Sequence, residues 1–138
     1  MLVRLIEPSG RGRNVKIPDV DYYPAKLITG WLEIESEFPS FDEMEKIIKE
    51  EKIELNEDEE EYIYGLVSPS LGDKLGGWPY WIQNVEYPSC PLCDREMRLL
   101  FQIDSEDSIH YSFGEGGCAH ITQCVEHKDQ IAFSWTSC

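Results

Sequence analysis

Two close pairs of soft ligands, Cys90-Pro91-Leu92-Cys93 and Cys124-Val125-Glu126-His127, lie about thirty residues apart in this chain. Four Cys or His donors supplied as two pairs from separate turns are the usual set for a tetrahedral structural Zn²⁺. The first pair follows Pro88-Ser89 and precedes the polar run Asp94-Arg95-Glu96, so it occupies a turn ahead of a strand-like segment that opens at Met97. A tight turn lets two thiolates converge on one ion. A redox Cys-x-x-Cys instead needs its first Cys at a helix N-terminus, where the dipole lowers the thiol pKa, and here a strand follows. The expected ligands of a structural zinc are Cys90, Cys93, Cys124 and His127. They converge if the segments 97–104 and 117–124 are antiparallel neighbours, which brings the start of one strand beside the end of the other. The competing reading makes Cys124 a small buried hydrophobe and His127 a loop residue.

A second constellation could serve as a nucleophile. Cys118 and His120 are two residues apart and share a face of an expected strand, and His110 could approach across a hairpin. A thiol enzyme needs a base within hydrogen-bond reach and a group that orients the base. Packing residues are the plainer reading, and no catalytic residue is assigned. A hydrolase-type or thiol enzyme, using Cys118 with a nearby His or an open metal site, stands as the alternative function. The glycine clusters Gly76-Gly77 and Gly114-Glu115-Gly116-Gly117 lack the Lys-Ser/Thr of a P-loop and the spacing of a dinucleotide fingerprint. The second reads as a hairpin turn. After the first comes an aromatic run in which Trp78, Tyr80 and Trp81 could meet a peptide partner, although such residues more often plug a core.

The elements that position these groups are legible in part. Residues 1–35 read as short strands broken at Pro8-Ser9-Gly10, Pro18-Asp19 and Gly30, with Leu27, Ile28, Trp31, Leu32 and Ile34 available to a core. Ser40 with Glu43 three residues on forms a capping box. Phe41, Met44, Ile47 and Ile48 share one helical face, so a single helix is expected over about 40–52. The acidic stretch 50–61 reads as a solvated connector. Tyr62-Ile63-Tyr64-Gly65-Leu66-Val67 has strand character. Met97, Leu99, Phe101 and Ile103 alternate with Arg98, Leu100, Gln102 and Asp104 in a strand pattern, and further strands are expected at Ser108–Phe113, Gly117–Cys124 and Ile131–Trp135. The expected architecture is α+β, a mostly antiparallel twisted sheet with one helix. Its 138 residues make a single domain, with a variable half at 1–70 and a β-rich half at 71–138.

Bulk properties set limits on partners. Twenty-seven acidic against twelve basic side chains leave a formal charge of −15, which repels polyanions and disfavours nucleic acid. The basic residues Arg4, Arg11, Arg13 and Lys16 read as a solvated loop. A basic protein or peptide suits the field. No apolar run reaches membrane-spanning length, and the opening residues Met1–Pro8 do not form a signal-peptide core, so a cytoplasmic location is expected. Five cysteines there are thiols or ligands, since an odd number argues against a complete disulfide framework.

The order Lys74-Leu75-Gly76-Gly77-Trp78-Pro79-Tyr80-Trp81-Ile82-Gln83, Cys90-Pro91-Leu92-Cys93, the strand Met97–Asp104, Gly114-Glu115-Gly116-Gly117 and Cys124-Val125-Glu126-His127 resembles the YwqG-like family of bacterial proteins of unknown function. The resemblance covers the C-terminal half, with Gly114-Glu115-Gly116-Gly117 standing where that family has Gly-Asp-Gly-Gly. It implies a β-rich α+β domain, with no established reaction or cofactor to carry over. Some members are associated with toxin and immunity loci. A shorter stretch is similar to the programmed-cell-death-two family of ribosomal-protein chaperones, which implies capture of a basic client.

Overall fold

The computed structural model describes residues 27–33, 36–66, 69–105 and 112–138. The strands expected within residues 1–26, the basic cluster there, the strand expected from Ser108, and His110 lie outside these residues.

Helix α1 (Phe41–Glu51) forms where the capping box places it. Ser40 Oγ accepts from the Glu43 backbone N–H at 3.4 Å, and Glu43 Oε2 accepts from the Ser40 N–H at 2.9 Å. A cap of this kind is worth about 1 kcal/mol. The helix stops at Lys52, which takes a left-handed conformation with φ 52°.

A second helix, α2 (Glu57–Leu66), takes up the acidic end of the connector expected over 50–61 and stands where a strand was expected from Tyr62, Val67 lying outside the described residues. Asn56 Oδ1 accepts from the Glu59 N–H, and the Glu59 carboxylate accepts from the Asn56 N–H, each at 3.0 Å. This is a second capping box. Glu57, Asp58, Glu59 and Glu60 fill the first turn, where carboxylates suit the positive end of the helix dipole. Local capping and charge thus outweigh the strand preference of Tyr62-Ile63-Tyr64.

Strands β1 (Lys74–Leu75), β2 (Arg98–Asp104), β3 (Cys118–Gln123) and β4 (Ile131–Thr136) form one antiparallel sheet in that order. With two helices and this sheet the fold is α+β. The register shifts between Leu99 and Phe101, leaving Leu100 as a bulge. The bulge splits the alternating set read from the sequence. Leu99 falls opposite Thr122, while Phe101 and Ile103 fall opposite Ile121 and Ala119 on the other face. The carbonyl of Leu100 is used by the Gly76 N–H at 3.1 Å.

The face carrying Gln102, Cys118, His120 and Thr122 is buried and polar. Gln102 holds three loop segments: its Oε1 accepts from the Tyr80 N–H at 2.8 Å, and its Nε2 donates to the carbonyls of Gly72 at 2.9 Å and Ser70 at 3.3 Å. Every capacity of this buried amide for which burial would carry a desolvation cost is met within the loops it ties. Above it, Trp81 lies 4.6 Å from the His120 ring and 5.1 Å from the Tyr87 ring, with centroids as reference. Glu43 accepts from Trp81 Nε1 at 3.3 Å and from the Tyr87 hydroxyl, which pins α1 over this face.

Leu27, Ile28, Trp31 and Leu32, expected in a core, are exposed. Trp31 meets Phe101 edge-on at 5.8 Å. Among the described residues no helix is long and apolar enough to cross a membrane.

Candidate metal centre

The chain before β2 makes a short hairpin that presents the first Cys pair. The Met97 N–H donates to the Pro88 carbonyl, the Cys90 N–H to the Arg95 carbonyl, and the Asp94 N–H to the Cys90 carbonyl, over 2.9, 2.9 and 2.8 Å. Asp94 closes the turn with φ 58°, a left-handed conformation that Asp tolerates better than most residues. The second pair sits in the loop between β3 and β4. There the Cys124 N–H donates to the Gln130 carbonyl at 3.1 Å and the Gln130 N–H to the His127 carbonyl at 2.9 Å. Because β2 and β3 are antiparallel, with Arg98 opposite Gln123, the residues just before β2 and just after β3 share one end of the sheet.

The two turns bring Cys90, Cys93, Cys124 and His127 together, with their ligand atoms all within 4.8 Å of one another. Cys90 Sγ and Cys124 Sγ each stand 3.7 Å from His127 Nδ1, and Cys93 Sγ stands 3.7 Å from Cys124 Sγ. Four donors around a tetrahedral ion with metal–sulfur bonds of about 2.3 Å and metal–nitrogen bonds of about 2.0 Å would be spaced by about 3.5–3.8 Å. Three of the six separations, at 3.7 Å, match that requirement, and the other three pairs lie within 4.8 Å. The cluster could hold a metal ion.

Its surroundings favour the thiolate at Cys124 and oppose it at Cys93. The His127 backbone N–H donates to Cys124 Sγ at 3.3 Å, and chiefly for this reason the Cys124 thiol is lowered to about 6, helped by the Glu126 N–H. At Cys93 the Arg95 backbone N–H favours the thiolate, but desolvation and the neighbouring Cys90 and Cys124 sulfurs outweigh it, and the thiol is raised. Cys90 and Cys124 are buried with Met97 in one apolar cluster, against which Cys93 and Ala132 pack. Cys93 and His127 are partly exposed and leave a route for an ion. Across the mouth, Arg95 from the first turn pairs with Glu126 from the second at 2.9 Å. Being exposed, this pair contributes under about 1 kcal/mol.

Cys118 and His120 also meet, with Sγ and Nε2 3.7 Å apart, in a setting that opposes catalysis. Burial pushes the Cys118 thiol up to about 12 and lowers His120 to about 4. His120 Nε2–H donates to the Tyr80 carbonyl at 3.1 Å, so the nitrogen nearest the thiol already carries a proton and cannot take another from it. Both side chains are sealed from solvent. Trp81 is engaged by Glu43, Tyr87 and His120, while Trp78 and Tyr80 are half-buried beside it. Gly114 and Gly116 both have positive φ, as a turn needs.

Positioning residues that the sequence did not single out are Glu37, Lys74 and Gln102. The Glu37 carboxylate accepts from the backbone N–H groups of Ser70 and Trp78, each at 2.9 Å, and from Lys74 Nζ, which also donates to the Trp78 carbonyl. Desolvation works against the charged form of Glu37, but these donors win and its pKa is lowered. The acidic partner of Lys74 is 37 positions away and had no local signal.

A family model described as a domain of unknown function, DUF1963, matches residues 16–134. An uncharacterised protein of Salmonella typhimurium, YpfL, is 40% identical over 48 residues, which are 35% of this chain and 11% of that relative. No solved structure matches the chain.

Proposed function

The chain belongs to the DUF1963 family, and within it we propose a protein-interaction module whose β-rich half is held by a structural zinc ion. The observation that carries this reading is the convergence of three thiols and one imidazole within 4.8 Å. Thiolate and imidazole donors in a four-donor set favour zinc over the hard cations, which take oxygen ligands. Four protein donors complete a tetrahedron and leave no position for a water molecule, so the site is structural and not hydrolytic. The net charge of −15 suits a basic protein or peptide partner in a cytoplasmic setting and opposes nucleic acid.

Elemental analysis of protein purified without added metal tests the reading. One zinc per chain is expected, with Cys90, Cys93 and Cys124 silent toward a thiol reagent until a chelator is added. Native protein with negligible zinc and freely titrating Cys90 and Cys93 removes it.

A further inference from the structure

The densest charge on the chain lies far from the Cys cluster in sequence. Eleven acidic and three basic residues fall within 41–66, the segment that forms α1 and α2. Between the helices lies a groove of about 780 Å³ lined by Asp42, Glu45, Lys46, Ile48, Lys49, Glu50 and Tyr64. Its apolar contributors are Ile48 and Tyr64, and Tyr64 is fixed by its ring contact with Phe41 at 4.8 Å. The carboxylates of Asp42, Glu45 and Glu50 stand around them. Lys46 is already paired with Glu96 at 2.6 Å, which leaves Lys49 as the cation of the lining with no ion pair among the described residues.

Helix α2 buries none of its residues, and Tyr62 on it is 70% exposed. A helix of ten residues is short of the roughly 12–15 needed for independent stability in water. Its five consecutive acids, Glu57 to Glu61, also place like charges three and four residues apart, which destabilises a helix. A partner seated against Tyr64 would cover part of the exposed face of α2.

We propose that the groove between α1 and α2 docks a basic peptide segment bearing one large apolar side chain. The apolar group sits on Ile48 and Tyr64, and flanking Lys or Arg side chains meet Asp42, Glu45 and Glu50. The placement rests on the basic-partner reading above and adds its location and its recognition chemistry. It is separate from the zinc claim.

The test titrates the full chain into a fluorescein-labelled peptide with one leucine flanked on each side by lysines, read by anisotropy. Wild-type protein is expected to bind, more weakly as salt rises. The double variant Glu45→Gln/Glu50→Gln, both positions being exposed, should bind about tenfold more weakly. Glu86→Gln/Glu115→Gln removes the same charge from exposed positions outside the groove and should change binding less than about twofold. Tyr64→Ser should also weaken binding, with far-UV circular dichroism confirming that the fold persists. Equal weakening by both double variants overturns the groove and leaves a basic partner standing. Loss on Trp78→Ala with the groove variants silent overturns it in favour of the aromatic segment. A wild-type chain that ignores the peptide removes both the groove and the basic-partner reading.

Discussion

Cys93 Sγ and Cys124 Sγ stand 3.7 Å apart although 31 positions separate them in the chain. The contact joins the turn before β2 to the loop after β3, so a metal held there clamps the two strands together at one end of the antiparallel pair. Chelation should therefore lower the melting temperature. A loss of about 3 kcal/mol corresponds to a drop on the order of 10 °C. Cys124→Ser should reproduce the drop and abolish the further effect of chelator, whereas Cys138→Ser, at an exposed position, should behave as wild type in differential scanning calorimetry.

Gly77 and Gly76 both have positive φ, 74° and 63°, but their surroundings differ. A Cβ on Gly77 would fall 1.9 Å from Glu37 Oε2, while one on Gly76 meets nothing within 4 Å. Gly76→Ala should cost about 1 kcal/mol from backbone strain alone. Gly77→Ala must in addition displace the carboxylate that balances buried Lys74, and should cost about 3 kcal/mol or more in urea unfolding.

His120 lowers stability in acid. Burial takes its pKa from 6.5 to about 4, the Tyr80 carbonyl opposing, while Lys74 from β1 and Glu43 from α1 act in smaller and opposite senses. Between these values the unfolded chain binds a proton that the folded chain refuses. Stability is then complete above about pH 6.5 and falls with acidification until about pH 4, by a total on the order of 3 kcal/mol. Measured with chelator in both samples, His120→Gln should show a flatter profile across this window than wild type.

The thiols should separate by accessibility. Cys138 is exposed and should react first with a maleimide, while Cys118, buried and with its thiol pushed up to about 12, should react only on unfolding. Fast labelling of Cys118 in the native protein, read by peptide mass mapping, would restore the thiol-enzyme reading.

Asn56→Ala removes the side chain that caps α2. The expected loss is about 1 kcal/mol, confined to α2 because that helix has no buried residue, and it appears as faster amide exchange over 57–66 with the global unfolding midpoint nearly unchanged.

Helix α1 was legible because its capping box and apolar face are local signals, and β2 to β4 were legible from short runs of strand formers. Helix α2 carried an equally local signal in Asn56 and Glu59, but the acidic run obscured it and Tyr62-Ile63-Tyr64 suggested a strand. The bulge at Leu100 was not legible, since the alternation of Met97 to Ile103 continues through it in sequence. Trp81 carried two readings, as core plug or partner contact, and the structure places it against His120, Tyr87 and Glu43.

Residue type and spacing along the chain determined the donor chemistry: two soft ligand pairs at turns, and a strand and not a helix after Cys93. Only the tertiary structure decided which donors meet. It brought Cys90 and Cys124 to His127 and Cys93 to Cys124, while sealing Cys118 and His120 beneath Trp81. The reason is that the antiparallel register of β2 on β3 sets where their two ends lie, and register arises from contacts across the sheet, with Gln102 facing His120 and Leu100 bulged out. The same holds for Glu37, whose role depends on backbone N–H groups of Ser70 and Trp78 that become its partners only when the loop folds back.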